Sequence, residues 1–260
     1  MTARRTVFCA AALLLILPSP TFAGVAGHLE GFVPAAARAD GRFGSVWTTD
    51  LWIYQQGASV VHLWFNPIDS DNAAAESVVV ELDAPVTVLH DVVGATFGSE
   101  GIGSIHYLAD GPVVVTSRTW TTAESDGSFG QTIPGVPVED AAVPDSGQAG
   151  ALRMFVDRMD GFRTNLGVTN VSGVTTTVAV DIFDAEGEPL PGDSTFTLDL
   201  PPYGMTQING LFDRLGPGER EGLIVRVGVT SGQGAVTAYV STVDNTTNDA
   251  SYQQGTRFAY

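Results

Sequence analysis

Residues 47–53, Trp47-Thr48-Thr49-Asp50-Leu51-Trp52-Ile53, are echoed 115 positions later by Phe162-Arg163-Thr164-Asn165-Leu166-Gly167-Val168. Self-similarity at long range is the mark of a repeated unit, and further matches follow on both sides. Gly27 to Val33 reads like Gly150 to Val156 at an offset of 123. Gly103-Ser104-Ile105 reads like Gly222-Leu223-Ile224 at 119, and Ser128 to Gln131 like Ser251 to Gln254 at 123. The change from 123 to 115 implies eight extra residues in the first copy, near Ala35 to Arg42.

Both copies read as β structure. Val78 to Leu82, Val113 to Thr116, Thr176 to Ile182 and Leu223 to Val229 are rich in β-branched residues and bounded by turn formers. Turn chemistry is concentrated at Gln56-Gly57-Ala58, Asp69 to Asn72, Asp184 to Gly187 and Ser231 to Gly234. Helical periodicity is confined to Asp91 to Phe97 and Asn209 to Leu215, one short helix at the same place in each copy. The expected fold is all-β: two tandem antiparallel, Ig-like β-sandwich domains at 24–133 and 150–260, joined by a Pro-rich linker at 134–149. A membrane β-barrel is the rival, because the chain ends in Phe258-Ala259-Tyr260. Barrel strands should alternate over about 10 residues and tile one closed sheet, whereas Val78-Val79-Val80 does not alternate and a Pro-rich segment separates the copies.

Residues 1–23 read as a secretory signal peptide. Arg4 and Arg5 precede the apolar stretch Phe8 to Leu17, and Thr21-Phe22-Ala23 sets the cleavage site. The stretch is short of the roughly 20 apolar residues that a span needs. The only cysteine, Cys9, lies within it, so the mature chain has no disulfide or thiol ligand. Removing this segment leaves 10 basic and 29 acidic residues, a formal charge of −19 against −17 for the whole chain. Every basic residue is Arg. Such a balance argues against nucleic-acid binding, and a released or surface-held protein in the extracellular space, the periplasm or at the cell surface is expected.

Trp47 to Leu51, Thr116-Ser117-Arg118-Thr119-Trp120 and Phe129 to Gly135 resemble the signature of a β-sandwich repeat domain that recurs in exported bacterial proteins. The resemblance runs from about Val33 to Gly135, with the second copy a divergent version carrying Val240 near the Arg118 position. It is a functionally uncharacterised family, so the resemblance implies a fold and no catalytic residues.

A search for chemistry is mostly negative. There is no Gly-x-Ser-x-Gly elbow, no His-Glu-x-x-His, and no phosphate-binding loop in a chain without Lys. His28, His62, His90 and His106 are too far apart for local metal-ligand spacing, although a triad assembled across space would leave no sequence trace. Asp69, Asp71 and Glu76, and Asp181, Asp184, Glu186 and Glu188, form acidic turns that lack the calcium-loop pattern. No enzyme activity, metal or cofactor is expected.

The copies differ in their aromatics. All four Trp and all four His precede residue 134. In the second copy Leu166 and Val168 must point inward, as must Val178 and Val180, leaving Gly167 and Thr169 outside. Transferring that register puts Leu51, Ile53, Leu63 and Phe65 inside and Trp52, Tyr54, His62 and Trp64 outside. These four are expected to share the outer face of one hairpin around Gly57, as a ligand or partner surface unless the second domain covers it. Asp50 and Arg118 are a candidate structural salt bridge. The functional expectation is a non-catalytic structural or interaction module with a protein or glycan partner. Carbohydrate binding by the aromatic face is the alternative, and an exported hydrolase comes third.

Overall fold

The computed structural model describes residues 26–41, 44–122, 127–144, 150–231 and 233–257. The expected signal peptide and the aromatic C-terminus lie outside them. The N-terminal half contains β1 (His28–Asp40), β2 (Val46–Gln55), β3 (Val60–Pro67), β4 (Val78–Glu81), β5 (Val86–Leu89), β6 (Gly101–Thr122) and β7 (Ser128–Pro134). β8 (Val136–Pro137) joins it to β9 (Leu152–Arg158), β10 (Phe162–Asn170), β11 (Thr176–Phe183), β12 (Thr195–Leu200), β13 (Met205–Ile208), β14 (Arg220–Ser231), β15 (Val236–Asp244) and β16 (Ala250–Gln254). One short helical segment precedes β6 at Val92–Thr96 and another precedes β14 at Leu211–Leu215, at the two expected places.

The C-terminal half is a two-layer antiparallel sandwich with sheet orders β12-β11-β14-β9 and β13-β10-β15-β16. Its core holds Leu166, Val168, Val178, Val180, Val225 and Val240 from the two inner faces. The N-terminal half repeats both orders, as β4-β3-β6-β1 and β5-β2-β6-β7. The difference is β6. Where the second half breaks the chain between β14 and β15, the first runs 22 residues without interruption. Residues 103–109 of β6 pair with β3 in one layer, and residues 113–120 pair with β2 in the other. Odd-numbered positions from Gly103 to Thr121 are buried throughout, so one face of the strand looks inward while the strand curls across the sandwich. The end of β1 adds a second link, Arg38–Asp40 pairing with Val46–Thr48 of β2, and the two layers become one eight-stranded sheet.

The ladders also correct the repeat register. β2 and β3 correspond to β10 and β11 at the expected 115, since Leu51 faces Leu89 as Leu166 faces Ile208. Val33, however, corresponds to Leu152 at 119, so the first copy carries four extra residues there and not eight. Gly103 corresponds to Val225 at 122, and Gln131 to Ser251 at 120. Matching by a few Gly, Ser and Val identities cannot fix register in strands where such residues recur.

The segment expected to be a linker is built into the structure where it is described. Val136 and Pro137 pair with β1, and Ala142 exchanges backbone hydrogen bonds with Val236 at 2.8 and 2.9 Å. The halves also pack on each other. β10 from Thr164 to Asn170 and β15 from Val236 to Ser241 are buried at every position. Alternation disappears because one face of that sheet meets its own sandwich and the other meets the first half. Met205 and Tyr239 accordingly belong to the N-terminal core.

Gly167 illustrates the fit. Its cross-strand neighbour is Tyr239, and a β-carbon at Gly167 would overlap the tyrosine ring. In the first half the same two positions hold Trp52 and Thr116, so the large ring comes from the other strand. Gly167→Ala should therefore destabilise the protein by about 1–3 kcal/mol, an overpacking cost. Tyr239→Ala in the same chain should relieve that part of the loss, and denaturant melts of the single and double variants would measure the coupling.

Candidate functional site

The expected facing of the aromatic residues is observed. Leu51, Ile53 and Leu63 are fully buried and Phe65 nearly so, while Trp52, Tyr54, His62 and Trp64 occupy the alternate positions. The four do not share one hairpin. β2 lies between β5 and the second part of β6; β3 lies between β4 and the first part. The turn at Gly57 (φ 111°) therefore carries the chain from one layer to the other, and the two aromatic pairs sit on different outer faces. Each strand pairs with the part of β6 in its own layer, and nothing in a short apolar run announces that choice.

On the β3 side the rings form a stack. His62 lies 6.0 Å from Trp64, Trp64 is 4.7 Å from His106, and His106 is 4.4 Å from Phe32 with their planes 5° apart. Tyr203, from the loop before β13, lies against both His106, at 5.7 Å, and Phe32, at 6.4 Å. It is held there by Asn72, whose Nδ2 donates to the Tyr203 carbonyl at 3.1 Å. Phe32 is wholly buried and the His106 side chain 12% exposed. His106 Nε2 meets Glu30 Oε1 at 2.8 Å. His62 Nδ1 meets Ser77 Oγ at 3.3 Å, but among the described residues no carboxylate lies behind it to complete a nucleophilic relay.

On the β2 side Trp52 and Tyr54 stand beside Val86 and Val88 of β5 and Val114 and Thr116 of β6. Tyr54, Val86 and Val88 are each at least 40% exposed. Asp50 and Arg118 are direct cross-strand partners on this face, yet they form no ion pair. The Trp120 indole N–H donates to Asp50 Oδ2 at 3.0 Å, the backbone N–H of Asp91 to Oδ1 at 2.9 Å, and Arg118 lies over the Trp120 ring. The second half holds Asn165 and Ser241 at these positions, so the equivalent of Arg118 is Ser241 and not Val240. The acidic turns are occupied from within: Asp181 pairs with Arg226 at 2.8 Å, and Asp184 accepts the backbone N–H groups of Glu186 and Glu188.

Sequence reading missed a crevice of about 320 Å³ where the halves meet. One wall is Ala35–Ala37 of β1 with Trp47 of β2; the other is the polar outer face of the β10 sheet, including Asn165 and Tyr239. Asn165, Thr169 and Ser241 look like solvent-facing strand residues in sequence, and only the position of the first half encloses them. No family model matches this chain, and no curated protein matches it.

Burial holds the His106 pKa below the usual histidine value, against the opposing pull of its hydrogen bond and charge interaction with Glu30. The unfolded chain therefore takes up this proton at higher pH than the folded one. The stabilisation is complete above the usual histidine pKa and is lost as pH falls from there through the lowered value of the folded state. Thermal melts between pH 7 and about 5 should show a shallower fall in Tm for His106→Phe, which keeps a ring in the stack, than for the parent. Equal slopes would remove His106 as the cause.

Proposed function

We propose that this is an exported, non-catalytic interaction module whose docking surface is the outer face carrying Trp52, Tyr54, Val86 and Val88. The observation that carries the reading is internal to the chain. The corresponding face of the second half is covered by the first half, whereas in the first half the same face is open and more apolar. Its outward positions on β2, β5 and β6 include two charged side chains, Asp50 and Arg118, of opposite sign. On a chain with a formal charge of −17 this is a neutral apolar patch. Two copies repel one another elsewhere, so the occupant favoured by charge is the same face of a second copy across a two-fold axis. Flanking valines leave few polar groups to hydrogen-bond a sugar ring, which favours a protein partner there. The expected signal peptide and the resemblance to repeat domains of exported proteins are in keeping with assembly outside the cell.

Sedimentation of the mature chain should reveal a dimer that strengthens as added salt screens the acidic surfaces. Tyr54→Glu and Val88→Glu should each abolish it while changing monomer stability by only about 0.5 kcal/mol. A monomer at all concentrations and salt levels, or a dimer indifferent to both substitutions, would overturn the assignment.

A further inference from the structure

We propose that the crevice between the halves binds one neutral sugar residue, either free or at the end of a glycan. Its volume of about 320 Å³ lies at the lower end of the roughly 300–1,000 Å³ range of small-molecule sites. The chemistry of its walls is what selects the ligand.

Several lining amides are oriented by the protein through their oxygens. Gln131 Oε1 accepts from Ser241 Oγ at 2.8 Å, and Asn165 Oδ1 accepts from the Gly210 backbone N–H at 3.2 Å. Asn209 Oδ1 accepts from Gln207 Nε2 at 2.8 Å, and Gln207 Oε1 in turn accepts from the Tyr239 hydroxyl at 2.8 Å. The amino groups of Gln131, Asn165 and Asn209 have no protein acceptor among the described residues. Asn165 is only 8% exposed and lines the crevice, so what its donor meets is set by the contents of the crevice, whereas the Asn209 amide is exposed. Three preset neutral donors suit the hydroxyl, ring and acetamido oxygens of a saccharide.

The opposite wall is apolar. Ala35, Ala36 and Ala37 line it without bulk, and the Trp47 indole adds an aromatic surface. Gly41 lets that indole come in, because a β-carbon at Gly41 would overlap Ser45 Oγ and Trp47. A sugar ring has the same division, with C–H groups on one side and oxygens around its edge. The charged lining residues are Asp40 and Arg163, one of each sign, with the Arg163 guanidinium already hydrogen-bonded to Asn245 at 2.8 Å. The site is therefore neutral overall and does not favour an anionic sugar.

The test is saturation-transfer NMR of the mature protein with neutral hexoses, N-acetylhexosamines, short neutral oligosaccharides and uronic acids, followed by calorimetric titration of those that bind. Binding of a neutral sugar is expected. Asn165→Asp keeps the acceptor for Gly210 and removes the donor, and should weaken affinity about tenfold or more, as should Trp47→Ala. Free monosaccharides and oligosaccharide termini separate the two sources of the ligand. Tyr54→Glu should leave binding intact, so failure of the dimer and failure of this site are read separately. Absence of binding by any neutral sugar, preference for uronic acids, or affinity unchanged by both crevice variants would each overturn the proposal.

Discussion

Strand β6 forms hydrogen-bonded ladders with β1, β2, β3 and β7, and the N-terminal half depends on its remaining extended through both layers. Ile105, Tyr107, Val113 and Val115 all present the same face inward, so one alternation pattern supplies a large part of the core. The partners of β6 then have little choice. β3 and β1 take its first part and β2 and β7 its second, which is why the two aromatic pairs part company although only a short turn separates their strands.

Much of the sandwich was legible because strand periodicity is local. Leu166, Val168, Val178 and Val180 set the facing of Leu51, Ile53, Leu63 and Phe65, and that inference needed nothing beyond the two-residue repeat of a strand. Both short helical segments were visible in the same way. Pairing was not legible. Whether β2 and β3 form a ladder with each other or with a third strand depends on how β6 runs, and the continuity of β6 past Gly111 and Pro112 is a long-range outcome. Register between the copies slipped by three or four residues at β1, β6 and β7, where matches rested on isolated small residues.

The candidate sites divide along the same line. Trp52 and Tyr54 stand out in sequence as large residues at outward positions. Asn165, Gln207 and Ser241 do not, because polar outward residues are what any solvated strand carries; their meaning comes from the alanine-rich wall that the first half lays opposite them. The Asp50–Arg118 pairing was right about position and wrong about bonding. Trp120, two residues beyond Arg118 on the same face, takes the carboxylate with its indole N–H.

The break between β14 and β15, against the unbroken β6, gives the two sandwiches different mechanics. A pull that shears one layer past the other in the N-terminal half must stretch a single strand whose ladders lie in both layers. In the C-terminal half the layers are joined in this region by a connection that includes Gly234, and elsewhere by the paired backbone hydrogen bonds of Arg153 and Thr256, so that two bonds rather than a whole ladder resist the same shear. Under such a shear the C-terminal sandwich would yield first, leaving the half with the open apolar face still folded.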